Sequence, residues 1–352
     1  MCLLQYRNGL GLLRFGIRQN RLLNGLIVRL FDGQRPVNNQ TVKVYPEEFR
    51  GNQTIKKMMK YLFRFGLLLF GLAIVAFGLF YIRANNRLQP ILSKEIPPIS
   101  KQRDAKVLSA FFGLDNSLPL AAIGLSWKAP GKDGMPVVFS HEINPTTLEA
   151  SDFKIKTAKG NLFDVDIVTL RPAMEAFELR TVLLIGEFGN HPDDEPVEVS
   201  IIGDLLARSG QNFKGKKVSV TPLVKGPFLS YAEYFKLDDS YPYVAEGRGC
   251  DCPREKTKMV VRTVWAGGVR ALNGEELGDK ELQNFRVALQ MGKDTLMVYP
   301  FQLADLSDND NNIDLCINKE GIPLTVSVQA NTAIDPRDDA NDFTNIGVVA
   351  QW

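Results

Sequence analysis

The chain has 352 residues, a formal net charge of +2 and a hydrophobic fraction of 45%. A charge this close to zero carries no signal for nucleic-acid binding, which needs a basic surface. Four cysteines are too few for the dense disulfide framework of a small secreted scaffold. The length allows two domains of ordinary size.

Residues 1–57 form a basic segment with ten Lys or Arg and three acidic residues. We interpret this segment as a disordered arm, or as an extension upstream of a working start at Met58 or Met59. A basic arm that lies on anionic lipid and an organelle-targeting leader are alternatives, because both are rich in basic residues and poor in acids.

Residues 65–82 read FGLLLFGLAIVAFGLFYI, an apolar run without a charged side chain. A helix needs about 20 such residues to cross the roughly 30 Å hydrocarbon core of a bilayer, and a single segment in lipid has to be helical. We therefore predict a single-pass transmembrane helix over residues 61–83. More basic residues precede the run than follow it, which favours a cytoplasmic N-terminus and an extracytoplasmic C-terminal region.

Two alternatives to an uncleaved signal-anchor stay open. A cleaved signal peptide would release a secreted protein. Against it, the run exceeds the usual signal core of about 7–15 residues, and no small-x-small cleavage site follows. A buried helix of a soluble core is the other alternative.

The amino-acid composition changes after the predicted transmembrane helix. Prolines and basic residues predict a stalk over 84–106, and short β-prone runs separated by turn residues come next. Val197, Val199 and Ile201 alternate with polar residues, which is the period of a strand with one buried face. Because no amphipathic helix interrupts these runs, the pattern favours antiparallel β-sandwiches over an α/β sheet.

The order of these runs recurs once along the chain. The two blocks align with only a small drift in spacing, as differences in loop length would produce. We therefore predict an internal duplication, in which Phe139 corresponds to Trp265, Phe153 to Phe285, Leu184 to Leu315 and Val199 to Val326.

Residues 137–153 read VVFSHEINPTTLEASDF. This stretch resembles the opening of bacterial Ig-like domains of the surface-layer-protein type, which typically read apolar-x-F-S-x-x-apolar-[ND]-P-x-T-L-x-x-x-[DN]-F. The resemblance is best over residues 130–225 and weaker over 255–345, where Ala271-Leu272-Asn273-Gly274 replaces Asn-Pro-Thr-Thr. It implies an Ig-like fold and an extracytoplasmic setting. Such families are mostly structural, adhesive or spacer modules, and fold alone does not give function.

The predicted fold class is mainly β, with one N-terminal transmembrane helix and two Ig-like antiparallel β-sandwiches. The predicted segments are a basic arm (1–57), a transmembrane helix (61–83), a stalk (84–106), a first sandwich (107–228), a linker (229–257) and a second sandwich (258–352).

Acidic residues near the C-terminus suggest a calcium site, because Ca²⁺ takes six to eight oxygen ligands. An EF-hand is excluded: counting from Asp308 places Ile313 where that loop needs Gly. Solvated turn residues are the alternative interpretation. The hypothetical ligands are Asp305, Asp308, Asp310, Asp314, Asp335 and Asp339.

Three cysteines follow the apolar run. Cys250 or Cys252 could bridge to Cys316 if this region is exported, and free thiols are the alternative. A zinc site would require four Cys or His ligands at recognisable spacing, which this chain does not offer.

Catalytic signatures are weak. The two histidines, His141 and His191, are not accompanied by a G-x-S-x-G elbow. The aromatic stretch from Tyr231 to Tyr243 is interpreted as packing between the sandwiches, with exposed partner or glycan binding as the alternative.

The sequence therefore predicts a membrane-anchored structural or binding protein of the cell envelope, with a protein or glycan partner. The alternative is an envelope enzyme, or an accessory subunit, with a site between the two β domains.

Overall fold

The computed structural model describes residues 51–92, 96, 100–237, 250–304 and 310–351. Its first element is helix α1, Gly51–Leu92, with 42 residues. Within α1, residues 57–79 are long and apolar enough to cross a membrane, and none of that window is buried. The helix extends into residues 84–92, which the sequence predicts as a stalk, because Pro90 lies within its last turn and removes only a late backbone hydrogen bond.

The first β-body comprises residues 107–221. Its strands are β1 (Val107–Phe111), β2 (Asp133–Phe139), β3 (Phe153–Thr157), β4 (Leu162–Thr169), β5 (Thr181–Gly186), β6 (Pro196–Ile201) and β7 (Lys217–Thr221). They close into a barrel-like sheet in the order β1-β2-β5-β4-β3-β6-β7. Neighbours are antiparallel except β1 and β7, whose parallel pairing joins the two ends. Inward-facing side chains such as Met135, Val137 and Phe139 fill the core.

The second β-body comprises residues 229–350. Its strands are β8 (Leu229–Phe235), β9 (Met259–Trp265), β10 (Arg270–Ala271), β11 (Phe285–Met291), β12 (Asp294–Val298), β13 (Gln302–Ala304), β14 (Asn312–Ile317), β15 (Ile322–Val328), β16 (Ala333–Ile334), β17 (Thr344–Gly347) and β18 (Val349–Ala350). One sheet has the order β12-β11-β15-β17 and another β13-β14-β9-β8-β18, while β10 pairs with β16. Trp265 and Phe285, from the two larger sheets, share one core.

The prediction of a mainly β chain with an N-terminal apolar helix is confirmed. Two features differ from the predicted pair of two-sheet sandwiches joined by a linker. The first β-body closes into one sheet because β1 also pairs with β7. Strand β8 falls in residues 229–257, predicted as a linker, yet it pairs with β9 and so belongs to the second β-body.

The two β-bodies repeat the same strand register. Met135 pairs with Leu184 on β2 and β5, and the aligned residues Val261 and Leu315 pair on β9 and β14. A register irregularity interrupts β1 opposite the end of β2, and a matching one interrupts β8 opposite the end of β9. Unrelated sheets would have no reason to share both features. The register therefore supports the predicted duplication.

The β-bodies pack against each other through the outer faces of β2 and β9. Val138 and Val264, which occupy corresponding positions in the duplication, lie in one buried cluster with Tyr231. The hydroxyls of Ser109 on β1 and Ser230 on β8 form a hydrogen bond of 2.7 Å. Strand residues that alternate between the two faces are therefore buried on both, one face in a core and the other between the β-bodies.

Candidate functional site

The interface between the β-bodies contains a buried network of charged side chains. Its centre is Arg262 on β9, a strand whose seven residues are all buried. The Nε and Nη2 atoms of Arg262 donate to the two carboxylate oxygens of Asp314 on β14, at 2.8 and 2.9 Å. Its Nη1 lies 2.9 Å from Oε1 of Glu178 in the first β-body. Arg262 therefore links acids from both β-bodies.

A second pair crosses the interface in the opposite direction. Arg180, from the first β-body, donates through Nη2 to both oxygens of Glu233 on β8, at 3.1 and 3.2 Å. The hydroxyl of Tyr231 and the amide of Gln351 also donate to Glu233, at 3.0 and 3.1 Å. The Arg180 guanidinium lies 4.4 Å from the centroid of the Tyr231 ring, a cation–π distance.

Burial and neighbouring charge shift the protonation of this network. Burial opposes the charge on Arg180, but Glu233 outweighs it together with other neighbours, so the pKa of Arg180 is raised. Burial, together with Glu233, raises the pKa of Tyr231 to about 12. Burial also raises the pKa of Glu142, against the opposing effect of Arg208, whose Nη1 lies 2.8 Å away. Arg180 therefore stays charged and Tyr231 stays a hydrogen-bond donor at neutral pH.

The energetic meaning of such a network is specificity of docking. Moving paired charges out of water costs several kcal/mol per ion, and good geometry is needed to offset that cost. Apolar side chains at the same places would tolerate a shift between the β-bodies, whereas the charged pairs that cross the interface, Arg262–Glu178 and Arg180–Glu233, keep their short distances in only one relative position. The network therefore selects one arrangement of the two β-bodies.

A cavity of about 150 Å³ opens at another part of the same interface. Its walls are mainly apolar, with Phe111, Pro136 and Leu183 from the first β-body. Asn311 of the second β-body borders it, and its amide donates to Thr181 Oγ1 at 3.0 Å. An enzyme site between the β domains, the alternative that the sequence left open, would use this cavity.

The predicted calcium ligands are placed as follows. Asp305 and Asp308 lie outside the described residues. Asp314 is paired with Arg262, as described above, and Asp310 accepts from the backbone and side-chain amides of Asn312 at 2.6 and 2.9 Å.

The other two predicted ligands lie in one turn. Asp335 accepts from the backbone amides of Arg337 and Asp339, at 2.8 and 3.0 Å, and burial raises the pKa of Asp335. A carboxylate oxygen of Asp339 lies 3.5 Å from Nε of Arg337. Among the described residues no group of three His, Cys, Asp or Glu side chains is placed to hold a metal ion. The calcium site stays a prediction, since Asp305 and Asp308 lie outside those residues.

The three cysteines lie close together. Cys252 and Cys316 form a disulfide with a Cα–Cα distance of 5.6 Å, while Cys250 is a buried free thiol. All three lie in one apolar cluster with Phe177 and Phe235. Burial and the nearby Asp314 carboxylate raise the pKa of Cys250, which keeps this thiol protonated and unreactive.

The charge network was not predicted from the sequence, although a signal for it exists. Arg262 interrupts the run MVVRTVW, and Glu233 interrupts LSYAEYF. A charged residue inside an apolar strand needs a partner if the strand is buried.

The aromatic stretch from Tyr231 to Tyr243 is described only up to residue 237. Within it Tyr231 and Phe235 are buried, as the packing interpretation expects.

The two histidines are placed as follows. His141 is buried, and its Nδ1 lies 2.8 Å from the Ser140 hydroxyl. His191 contacts the carboxylate of Glu195.

Neither a protein-family model nor a curated protein matches this chain. Among solved structures, the chain is similar to the N-terminal part of the bacterial S-layer protein SbsC, with a TM-score of 0.23 and 13% identity over 70% of this chain and 44% of that chain. It is also similar to domains 1–6 of the surface layer protein SbsC, with a TM-score of 0.24 and 9% identity over 70% of this chain and 54% of that chain. Both are distant similarities of fold, and the chain spans about half the length of these structures.

Proposed function

We propose that this chain is a membrane-anchored, extracytoplasmic structural or binding protein of the cell envelope. The observation that carries the proposal is the apolar part of α1: residues 57–79 are helical and unburied, and from Phe65 onward they carry no charged side chain. A helix of this length spans about 35 Å at 1.5 Å per residue, enough for the roughly 30 Å hydrocarbon core of a bilayer. Hydrocarbon is the solvent in which such a surface is stable.

Two further features support an extracytoplasmic position for the β-bodies. Basic residues of α1 precede the uncharged run that begins at Phe65, including Lys57, Lys60 and Arg64, and cytoplasmic flanks are enriched in such residues. The Cys252–Cys316 disulfide belongs to an oxidising compartment, because cytosolic thiols are kept reduced. These features are independent, since one lies at the N-terminal end of the apolar run and the other in the second β-body.

The strand order supports an Ig-like assignment for both β-bodies. Constant-type immunoglobulin domains pair strands A-B-E-D in one sheet and C-F-G in the other. Numbered from its first strand, the first β-body has A-B-E-D as β1-β2-β5-β4 and C-F-G as β3-β6-β7. The second has β8-β9-β14-β13 and β11-β15-β17 in the same roles, with β12 added beside β11.

The packing of the β-bodies supports a structural or binding role. Buried ion pairs and an apolar cluster hold them together, so the two act as one body instead of two flexible beads. A rigid double module presents its loops and outer surfaces at fixed spacing, which suits a scaffold or a partner-binding surface in the envelope.

Membrane fractionation and protease shaving of intact cells test the proposal. With a C-terminal epitope tag, we expect the protein to resist extraction by alkaline carbonate and to lose its tag when intact cells are treated with protease. A variant with Leu69→Arg and Ile74→Arg is the matched control, because charges in the apolar window should make the protein extractable. Protection of the tag until lysis would overturn the orientation, and carbonate extraction of the wild type would overturn the anchor. Mass spectrometry of the mature N-terminus separates the anchored form from a cleaved, secreted one.

A further inference from the structure

The connection between β1 and β2 contains a segment of mixed apolar and polar residues, whose apolar side chains lie partly against the first β-body and partly in solvent. We call residues 117–130 the amphipathic loop. On its inner side Leu118, Ala122 and Ala129 are buried and share a cluster with Ile185 of β5. Backbone hydrogen bonds close the loop at its base, from the Gly131 amide to the Leu118 carbonyl at 2.8 Å and from the Leu118 amide to the carbonyl of residue 132 at 3.0 Å. The loop therefore has a fixed conformation on the first β-body.

The outer side of the amphipathic loop presents three large apolar side chains to solvent. Leu120 is 76% exposed, Ile123 54% and Trp127 77%. Isolated exposed apolar residues are common, but a group of them on an ordered loop marks an interaction site. Because the inner side already supplies the residues that hold the loop in place, folding does not require apolar side chains on the outer side.

The charge pattern around these side chains indicates the kind of partner. Residues 116–132 contain no Asp or Glu, so no fixed negative charge on the loop opposes contact with an anionic surface. The ammonium of Lys128 lies 5.2 Å from the centroid of the Trp127 ring. Trp and Lys side by side, next to aliphatic residues, are typical of segments that enter the interface between lipid headgroups and acyl chains.

We propose that the amphipathic loop inserts Leu120, Ile123 and Trp127 into the headgroup interface of the bilayer that holds α1. This inference rests on the proposed membrane anchor. Residues 93–106 join α1 to β1, and a chain of that length reaches at most about 50 Å, so the tether keeps the first β-body near the lipid surface. A second contact with the same bilayer would fix which faces of the β-bodies point away from the membrane, and thus which are open to an envelope partner.

Tryptophan fluorescence of the full-length protein tests the contact. Of the two tryptophans among the described residues, Trp127 is exposed and Trp265 is fully buried. The protein is reconstituted into vesicles of phosphatidylcholine and phosphatidylglycerol, with and without a lipid that carries a shallow nitroxide quencher. The difference between wild type and Trp127→Phe isolates the emission of Trp127. We expect this emission to shift to shorter wavelength and to lose intensity with the quenching lipid.

Two variants make the experiment specific. The double change Leu120→Ser/Ile123→Ser alters only exposed side chains and should reduce the quenching of Trp127. As a matched control, Phe343→Trp in the Trp127→Phe background moves the reporter to a residue of the second β-body that is 59% exposed, where we expect no quenching. Equal quenching at both positions would show unspecific adsorption and overturn the proposal.

The outcome separates failure of the loop contact from failure of the anchor. If the reconstituted protein resists carbonate extraction while Trp127 stays unquenched, the anchor stands and the loop contact is wrong. If carbonate extracts the protein, the anchor itself is wrong. Trp127 that is unquenched in vesicles but shielded from acrylamide in native membranes would assign the loop to a protein partner, which also overturns the proposal.

Discussion

The two β-bodies share strand order and register, yet corresponding positions on their facing surfaces carry opposite chemistry. In the first, Pro136 on β2 pairs with Leu183 on β5, and both line the interface cavity. In the second, the corresponding pair is Arg262 and Asp314, a fully buried ion pair. Inward-facing positions are apolar in both. This difference shows that the apolar core residues determine strand order and register in both β-bodies, whereas the outward-facing residues can differ in chemistry without changing either.

A second contrast concerns what covers the outer face of the central strands. In the first β-body Ile185 of β5 is covered by the amphipathic loop. The corresponding residue of the second β-body is Cys316 of β14, which is covered by the segment before β9 and bonded to Cys252. Both covering segments belong to the connection between the first and second strands of their β-body. The segment in the first β-body is held by apolar packing, and the segment in the second by the disulfide bond.

The largest expected effect comes from breaking the buried ion pair. Arg262→Met leaves the carboxylates of Glu178 and Asp314 without this cation in a buried site, and breaking a buried pair costs about 3–5 kcal/mol. We expect a lower midpoint of urea unfolding, followed by circular dichroism. Arg270→Met is the matched control, because Arg270 pairs with the exposed Asp338 at 3.1 Å and surface pairs contribute at most about 1 kcal/mol.

A triple variant sharpens this comparison. Arg262→Leu and Asp314→Leu give this pair the apolar chemistry of Pro136 and Leu183 in the first β-body, and Glu178→Gln removes the remaining charge that faced Arg262. Replacing a whole buried ion network is often neutral or stabilising, so we expect most of the lost stability to return. Equal destabilisation by the single and the triple change would contradict the assignment of charge burial as the cause.

The disulfide gives the next largest effect. Cys316→Ala removes a bond that spans 64 residues, and such losses typically cost about 2–5 kcal/mol. Cys250→Ala is the control, since it also removes a buried sulfur but leaves the bond intact. We expect the melting temperature to fall more for Cys316→Ala, and a reductant to lower that of the wild type. Identical melting of the two variants, with no response to reductant, would argue against the bond.

The smallest expected effect is a pH dependence of the first β-body. Asp133 begins β2 and accepts from the backbone amides of Asn116 and Phe188, at 2.7 and 2.6 Å. Burial outweighs these hydrogen bonds and raises its pKa to about 6. The folded state therefore binds the proton more tightly than the unfolded chain. This contribution to stability, about 3 kcal/mol at most, is complete below about pH 4 and is lost as the pH rises to about 6.

Asp133→Asn should remove that slope. Urea unfolding between pH 4 and 7 measures it as the difference between wild type and variant, because Glu142, Asp152 and Asp335, whose pKa values are also raised, are common to both. The second β-body has Met259 at the corresponding place and no matching carboxylate there. An unchanged slope in the variant would show that Asp133 is not the titrating group.

Much of the fold could be predicted because its signals are local. The apolar run that predicts α1 and the alternation of residues 197–201 depend only on neighbours in the chain. The alignment of Phe153 with Phe285 also predicted corresponding strand positions, since the two residues begin the corresponding strands β3 and β11. The stalk and linker boundaries were less accurate, because a late proline does not end a helix and an aromatic run such as β8 becomes a strand only when a partner strand is present.

The candidate site could not be predicted in the same way. The acidic neighbourhood of Asp314 predicts a calcium ligand. The structure instead pairs Asp314 with Arg262, which lies 52 residues earlier in the chain. The sequence could not choose between Cys250 and Cys252 as the partner of Cys316, because the two are separated by a single residue and both lie far from Cys316 along the chain. The exposure of Trp127 could not be predicted, because the neighbours of a tryptophan in sequence do not show whether other parts of the chain pack over its ring.

The sequence by itself determined that one helix contains a long uncharged apolar run and that two blocks of strands bury alternate residues, because hydrophobic period is a property of consecutive residues. Only the tertiary structure decided that the outer faces of these blocks meet, that charged side chains pair there and that the disulfide joins Cys252 to Cys316. An outward-facing strand residue has the same spacing whether it meets water or a second β-body, so its partner is set by packing across the chain and not by its neighbours in sequence.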